Sequence, residues 1–410
     1  MLAVVVFAAA YVGMAVGRVP GIGLDRSGIA LIGAIIVVAA GSLPADEVGD
    51  AIHFPTLLLL GGLMVISARM EGLGLYAAAG TWIAAWAHRP VALLGAVVAG
   101  GGFLSAVLVN DVVVLALTPL LCRALADAGR DPRPFALALA MASNAGSAAT
   151  LIGNPQNIMI GQVGRLGFWE YTGFAALPAL IALVATFVVI RLIWAAELKS
   201  DATPLHSESR GTSRRLVRSD LWFAAIAVGA LLALFAMGVD RALAAISVAA
   251  VLLASRSSRS RDLLGRIDVP LLVLFAGLFV VNDAFMRTGV PEAWLSWLRE
   301  QELSPNSLAV LAPLAIAASN TIGNVPAVIL ILNLWPDLPP GTLHGLALLS
   351  TLAGNLLLTG SLANLIVAER AMDAGMRLTF RDFAVVGLPI TVVSTVAASA
   401  WVLATGAMAV

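Results

Sequence analysis

Apolar runs recur along the whole chain with short polar breaks between them, at roughly 1–17, 28–43, 54–68, 135–163, 172–195, 220–238, 241–254, 269–285, 342–368 and 382–404. They are long, rich in glycine and almost free of charge. That pattern predicts helices in hydrocarbon rather than the alternating strands of a barrel. An upright crossing needs ~20 residues, so the shorter runs mark spans whose ends lie a few residues further out. Two more stretches, 90–122 and 306–335, are apolar at both ends and polar near the middle. Each is expected to be a re-entrant hairpin that enters and leaves on one side. Two amphipathic pieces, 73–87 and 291–299, carry Trp82, Trp86, Trp294 and Trp297. Tryptophan in such pieces suits the membrane–water interface.

Composition agrees with this pattern. The chain is 60% hydrophobic and only 12% charged, against about 25% charged in a soluble domain. The fold class expected is an all-α polytopic membrane protein with about ten spanning helices. The first run lacks a basic start and is expected to be a spanning helix rather than a cleaved signal. The single Cys122 excludes an intrachain disulfide framework and any multi-cysteine metal site.

The charges then orient the spans. With both hairpins counted as non-crossing, the loops alternate sides and the 24 Lys and Arg divide 20 against 4. The poor side holds only Arg165, Arg241, Arg287 and Arg299. By the positive-inside rule the rich side, with the clusters Arg210–Arg218 and Arg256–Arg266, is cytoplasmic. The localisation expected is the plasma (inner) membrane, with both termini outside.

One stretch, 197–219, is polar, Arg-rich and linker-like. It separates a first half, 1–196, from a second, 220–410. "FPTLLLLGGLMVISA" from Phe54 is similar to "VPLLVLFAGLFVVND" from Val269, and "WEYTGFAALPALIALVAT" from Trp169 to "FRDFAVVGLPITVVST" from Phe380. Each half holds a hairpin (90–122; 306–335) followed by a glycine-broken helix (135–163; 342–368). The first copy starts outside and the second inside, so the expectation is an inverted repeat. Secondary transporters use this plan, with the site at the repeat interface near the midplane.

Four polar motifs stand at matching places. The first hairpin tip has Asn110 and Asp111; the second has Ser319, Asn320, Thr321 and Asn324. The first broken helix, "SNAGSAATLIGNPQN", has Ser143, Asn144, Gly146, Ser147, Thr150, Gly153, Asn154, Pro155 and Asn157. The second, "AGNLLLTGSLAN", has Asn355, Thr359, Gly360, Ser361 and Asn364. Irregular backbone is tolerated at membrane depth only where it is buried in protein or lines a cavity. Residues 135–143 and 156–163 are each too short to cross ~30 Å at ~1.5 Å per residue. The break should therefore lie within a single span, at about half depth. Asn110, Asn154, Asn324 and Ser361 are expected to cap fresh helices, with Pro155 at a first helical position. Such half-helix ends offer amides to a ligand and carbonyls to a cation. Asp111 is an acid at intramembrane depth, which is costly and functional by default. His53 and His344 are expected to be solvated or capping.

At these motifs the chain resembles the ion transporter superfamily with a citrate-transporter-like domain. That group includes arsenite efflux pump membrane subunits, sodium/proton antiporters and sodium-coupled dicarboxylate carriers. The resemblance rests on "NDVVVLALTP", "SNAGSAATLIGNPQNIMIG" and "AGNLLLTGSLANLIVAE". It implies coupling ions held between tip and broken helix, pairing Asn110–Asp111 with Ser143–Asn157, and Asn324 with Asn355–Asn364. Sodium would sit at Asn110, Asp111, Ser143 and Asn144. The Asn-Asp tip replaces a Ser-Asn-Thr pattern of the dicarboxylate carriers and shifts the expectation toward the arsenite-pump and antiporter branch.

The function expected is ion-coupled secondary transport of a small oxyanion or weak inorganic acid, by an elevator-type or rocking motion. A sodium/proton antiporter or a sodium-coupled carboxylate carrier is the alternative. An intramembrane enzyme would need a catalytic pair of acids, a metal-binding helix or Ser with His, and the spans offer none. The expected cofactor is none beyond a coupling Na+ or H+. Expected partners are the anion, the lipid bilayer and a second copy of the chain in a homodimer, with no nucleic acid.

Overall fold

The computed structural model describes all residues except 17–23, 74–82, 84, 200–217, 255–259, 291–292, 294–295, 298–299, 302 and 409–410. Most of the two tryptophan-bearing pieces and of the 197–219 linker therefore lies outside the described residues. Every principal element described is a helix. In the first half these are α1 (Leu2–Val16), α2 (Arg26–Ala39), α3 (Phe54–Gly72), α4 (Pro90–Val107), α5 (Asn110–Asp127), α6 (Arg133–Ser147), α7 (Pro155–Val163) and α8 (Phe168–Ile193). In the second they are α9 (Arg218–Ala236), α10 (Arg241–Ala254), α11 (Val269–Met286), α12 (Leu308–Ile322), α13 (Asn324–Leu334), α14 (Pro340–Ala353), α15 (Leu362–Asp373) and α16 (Phe380–Ala404).

Four of these, α4, α8, α11 and α16, are each long and apolar enough to cross a membrane. The short helical turn Ala45–Ala51 together with α3 makes a fifth, bent by 62°. α1, α2, α9, α10, α12 and α13 are apolar over shorter lengths.

Packing in one half repeats in the other eight helices on. α4 lies on α6 as α12 lies on α14, and α6 on α8 as α14 on α16. Other pairs exchange halves: α2 packs on α11 while α3 packs on α10, and α5 packs on α15 while α7 packs on α13. Two glycines allow the first of these exchanges. A Cβ on Gly62 of α3 would stand 2.9 Å from the Ala245 carbonyl carbon in α10. A Cβ on Gly277 of α11 would stand 2.8 Å from the Ala30 carbonyl in α2. Gly62 and Gly277 occupy the same place in the two similar segments, so one small residue sets one close helix crossing twice.

The interrupted stretches do turn back. α4 and α5 meet at Leu108–Val109, and the chain returns so that Arg130 Nε donates to Ala87 O. α12 and α13 meet at Gly323, whose φ of +91° suits glycine. There the return brings the start of α14 to the start of α12, where Thr342 Oγ1 donates to Asn306 Oδ1 at 3.0 Å.

Candidate functional site

The two breaks form where the sequence weakens a helix. α6 ends at Ser147 and α7 begins at Pro155, capped by Asn154, whose Oδ1 accepts from Asn157 N at 2.9 Å. Proline at this first position removes an N–H that would have had no helical partner. α14 ends at Ala353 and α15 begins after Ser361, whose Oγ accepts from Ala363 N at 3.2 Å. The irregular backbone is shorter than expected: Ser143 and Asn144 still belong to the last turns of α6, leaving 148–154 as the break.

Each break is read by a residue from the other half. Asn144 of α6 donates through Nδ2 to Asn355 Oδ1 at 2.9 Å and to Asn364 Oδ1 at 3.0 Å. Its Oδ1 accepts from Ser361 Oγ at 2.9 Å and from Asn110 Nδ2 at 3.2 Å. Both donors and both lone pairs of the amide are thus used. On the other side, Thr351 Oγ1 of α14 accepts from Asn154 Nδ2 and Gln156 Nε2, each at 3.2 Å, and donates to Asn157 Oδ1 at 3.1 Å. Asn157 Nδ2 goes on to Thr150 O and to Tyr171 Oη. All of these side chains except Thr150, at 7% exposure, are buried to within 1–2%.

The first hairpin tip is held against the first break. Asn110 N donates to Gly153 O at 2.8 Å, and Thr150 Oγ1 to Ala106 O at 2.6 Å. Close approach here depends on glycine: a Cβ on Gly146 would fall 2.1 Å from Gly102 O in α4. A Cβ on Gly153 would strike the Ser147 carbonyl, at 2.4 Å, so Gly153 shapes the break itself rather than its contact with the tip. Asp111 is buried beside Asn110, whose Oδ1 accepts from Asp111 N at 2.9 Å. Asp111 Oδ2 has no hydrogen-bond partner among the described residues.

Other residues singled out in the sequence sit elsewhere. Asn110 and Asn324 are first helical residues rather than caps, and each accepts from the next backbone N–H. Asn324 makes no described hydrogen bond to the second break. Asn320 does so instead: its Nδ2 donates to Ala353 O and its Oδ1 accepts from Leu357 N. Thr359 Oγ1 donates to Asn320 O, and Gly360 admits the Asn320 amide, which a Cβ would meet at 2.4 Å. Ser319 reaches Ser350 O at 3.4 Å, while Thr321 is exposed and bonded to its own helix. Ser143 and Ser147 likewise donate to carbonyls of α6, while Ser147 Oγ also accepts from Asn154 Nδ2 at 3.0 Å and so joins the Thr351 network.

His53 Nδ1 lies 2.8 Å from Thr56 Oγ1 at the start of α3. His344 is not solvated. It lies inside α14, buried against Tyr171 and Phe174 with ring centroids 5.6 and 5.2 Å away. Thr351, Gln156 and Tyr171 carry network bonds that the sequence reading did not assign. A signal for Thr351 exists, because it precedes Ala353–Gly354 as Ser143 precedes Ala145–Gly146.

Two cavities approach the half-helices that start in these networks. One, of about 640 Å³, is bounded by α7, α11 and α13 and includes Asp50, His53 and Asp283. The other, of about 550 Å³, is bounded by α2, α11 and α15 and includes Asp25, Asp268, Glu369 and Arg377. No lysine or arginine takes part in the amide networks described. The one buried arginine among the described residues, Arg69, stacks on Phe223 at 5.1 Å.

Comparison with known proteins gives a consistent picture. The profile of the citrate transporter family matches residues 5–341. The silicon efflux transporter LSI3 of Oryza sativa subsp. japonica is 27% identical over 92% of this chain and 92% of its own. The transporter arsB of Dictyostelium discoideum is 23% identical over 90% of this chain and 85% of its own. In fold, the crystal structure of the Alcanivorax borkumensis YdaH transporter superposes with a TM-score of 0.55 at 14% identity. It covers 99% of this chain and 98% of that one. These relatives are transporters, not enzymes.

Proposed function

The chain belongs to the citrate transporter family of membrane proteins, and on that premise we propose that it carries a small, hydroxylated weak acid across the plasma membrane by ion-coupled alternating access. The observation that carries this reading is the pair of amide–hydroxyl networks centred on Asn144 and Thr351. They contain no cation. A carboxylate only accepts hydrogen bonds and would meet the Nδ2 donors while leaving amide and hydroxyl acceptors unmatched. An undissociated oxyacid, with hydroxyls that both donate and accept, can replace every bond it breaks. That matching matters, because a buried polar group left unpaired costs about 1–3 kcal/mol.

The halves are read as an inverted repeat, 1–196 and 220–410 about the 197–219 linker. Reciprocal packing of α2 on α11 and α3 on α10 supports this reading. So do the two stretches that turn back on themselves, read as re-entrant hairpins in a bundle of about ten spans. The Arg-rich loops are assigned to the cytoplasm on charge bias, and a homodimer remains compatible with this plan. Asp111 is assigned the coupling role, since a buried carboxylate beside the tip can carry a proton or ligate Na+ with neighbouring oxygens.

Proteoliposomes containing the purified protein test the reading. Silicic acid and arsenite, both uncharged at neutral pH, are expected to move and to be driven by a proton or sodium gradient. Transport of citrate or succinate with neither of these moving would overturn it. Sodium–proton exchange without any solute would instead establish the antiporter alternative that Asp111 leaves open.

A further inference from the structure

The helices divide into two bodies by packing. α1, α2, α3, α9, α10 and α11 pack on one another, and α4–α8 with α12–α16 pack around the two breaks. Contacts between the bodies are sparser, chiefly α3 on α7, α11 on α13 and α1 on α12, with weaker ones of α9 on α8 and α3 on α5. Tyr11 Oη reaches Pro326 O across this boundary at 3.5 Å. Among the described bonds across it, the short ones come from one side chain. Arg241 donates through one guanidinium nitrogen to Leu166 O at 2.9 Å and through the other to Gly161 O.

The position of Arg241 is unfavourable on local grounds. It is the first residue of α10, where the helix dipole disfavours a cation, and Asp240 already caps that end by accepting from Leu243 N at 2.9 Å. The gain comes from the neighbouring helix. Gly161 lies in the last turn of α7, and the carbonyls at that end are the negative pole of its dipole. A Cβ on Gly161 would stand 3.1 Å from the guanidinium, so glycine there admits it. The opposite end of α7 carries Asn154 and Asn157 of the Thr351 network, the first only seven residues before Gly161.

We propose that Arg241 is a positioning residue for transport: it locks α7, and through it Asn154 and Asn157, to the α3–α10 body in this conformation, and it releases α7 when the bodies move. This rests on the alternating-access reading above. The substrate site then senses the relation between the bodies through a rigid rod anchored at one guanidinium. Arg241 is one of only four basic residues on the cation-poor face, and no network residue depends on its charge directly.

The test uses spin labels on cysteines at Leu192 of α8 and Val251 of α10, both 70% exposed and far along their helices from Arg241. The labels are introduced in a Cys122→Ser background, and distance distributions are measured with and without arsenite. Arg241→Leu should shift the ratio of two distance populations about tenfold away from the present one, as loss of charge-assisted bonds requires. Arg241→Lys, which can satisfy one carbonyl, should fall between, and serves if the leucine variant does not fold. Apparent affinity should change more than the amount of folded protein. Two populations in a ratio that neither variant alters would overturn the proposal alone. A single population under every condition would overturn the alternating-access reading and the proposal with it.

Discussion

Asn144 and Asn364 are 220 residues apart in the chain and share a buried hydrogen bond of 3.0 Å, Nδ2 to Oδ1. The first residue lies in the last turn of a helix of the first half; the second lies in the first turn of a half-helix of the second. A polar bond at that depth joins the halves at the point where both backbones are broken. Asn144 has no polar counterpart: the residue before Ala353–Gly354, matching its place before Ala145–Gly146, is Leu352. The second half reads the first through Thr351 instead.

Asn144→Leu, which installs the counterpart's side chain, should abolish solute binding and lower thermal stability. It strips a partner from Asn355 Oδ1, Asn364 Oδ1, Asn110 Nδ2 and Ser361 Oγ at once. Each buried group left unpaired costs about 1–3 kcal/mol. Partial repair by rearrangement will reduce the sum, so a fall of several degrees in melting temperature is the outcome to look for in detergent. A variant that melts and transports like the parent would remove Asn144 from the site.

Thr351→Val is the sharper probe, because it keeps shape and removes one hydroxyl. Asn154, Gln156 and Asn157 lose their common partner. Transport should fall at least tenfold, with a stability loss of about 1–3 kcal/mol. Thr351→Ser should restore most of it. Equal loss in the valine and serine variants would show that volume, not the hydroxyl, is what matters at this position.

Asp111→Asn preserves the side-chain outline and removes the charge. If Asp111 couples transport to an ion, the variant should fold and bind solute but no longer respond to a proton or sodium gradient. Gradient-driven uptake into proteoliposomes at several pH values measures this. An unaltered gradient dependence assigns the coupling to another group.

The breaks and tips were legible because glycine, proline and asparagine are costly in a membrane helix unless the site needs them; Asn154, Pro155 and Ser361 take the capping places their types suggest. The similar segments around Gly62 and Gly277 were likewise readable, and they mark the paired helix crossings. Pattern reading matched each tip with the break of its own half, and Asn110 N does donate to Gly153 O. The packing of α5 on α15 and of α13 on α7, across the halves, left no signal in the pattern. The phase of α12 was also hidden. Helical rotation brings Asn320 to the second break, while Gly323 turns the chain before Asn324 can reach it. His344 misled because α14 starts at Pro340, which places the histidine inside a helix rather than beside one.

Gly146 tests whether the break and the tip must touch. In Gly146→Ala the added methyl would sit 2.1 Å from Gly102 O and 2.4 Å from Gly102 Cα, both backbone atoms that no rotamer can move aside. α6 must then retreat from α4 about one turn from Thr150 and two residues from Asn144, which pulls apart the Thr150–Ala106 and Asn110–Gly153 bonds. The variant should still enter the membrane, since its apolar surface is unchanged, but transport and solute-induced thermal shift should both be lost. Gly100→Ala in α4 supplies the contrast. Nothing lies within 4 Å of its Cβ position, and Gly→Ala in a helix interior stabilises by about 0.4–1 kcal/mol. It should transport normally and melt no lower than the parent. If Gly146→Ala behaves like Gly100→Ala, close contact between hairpin and broken helix has no part in transport.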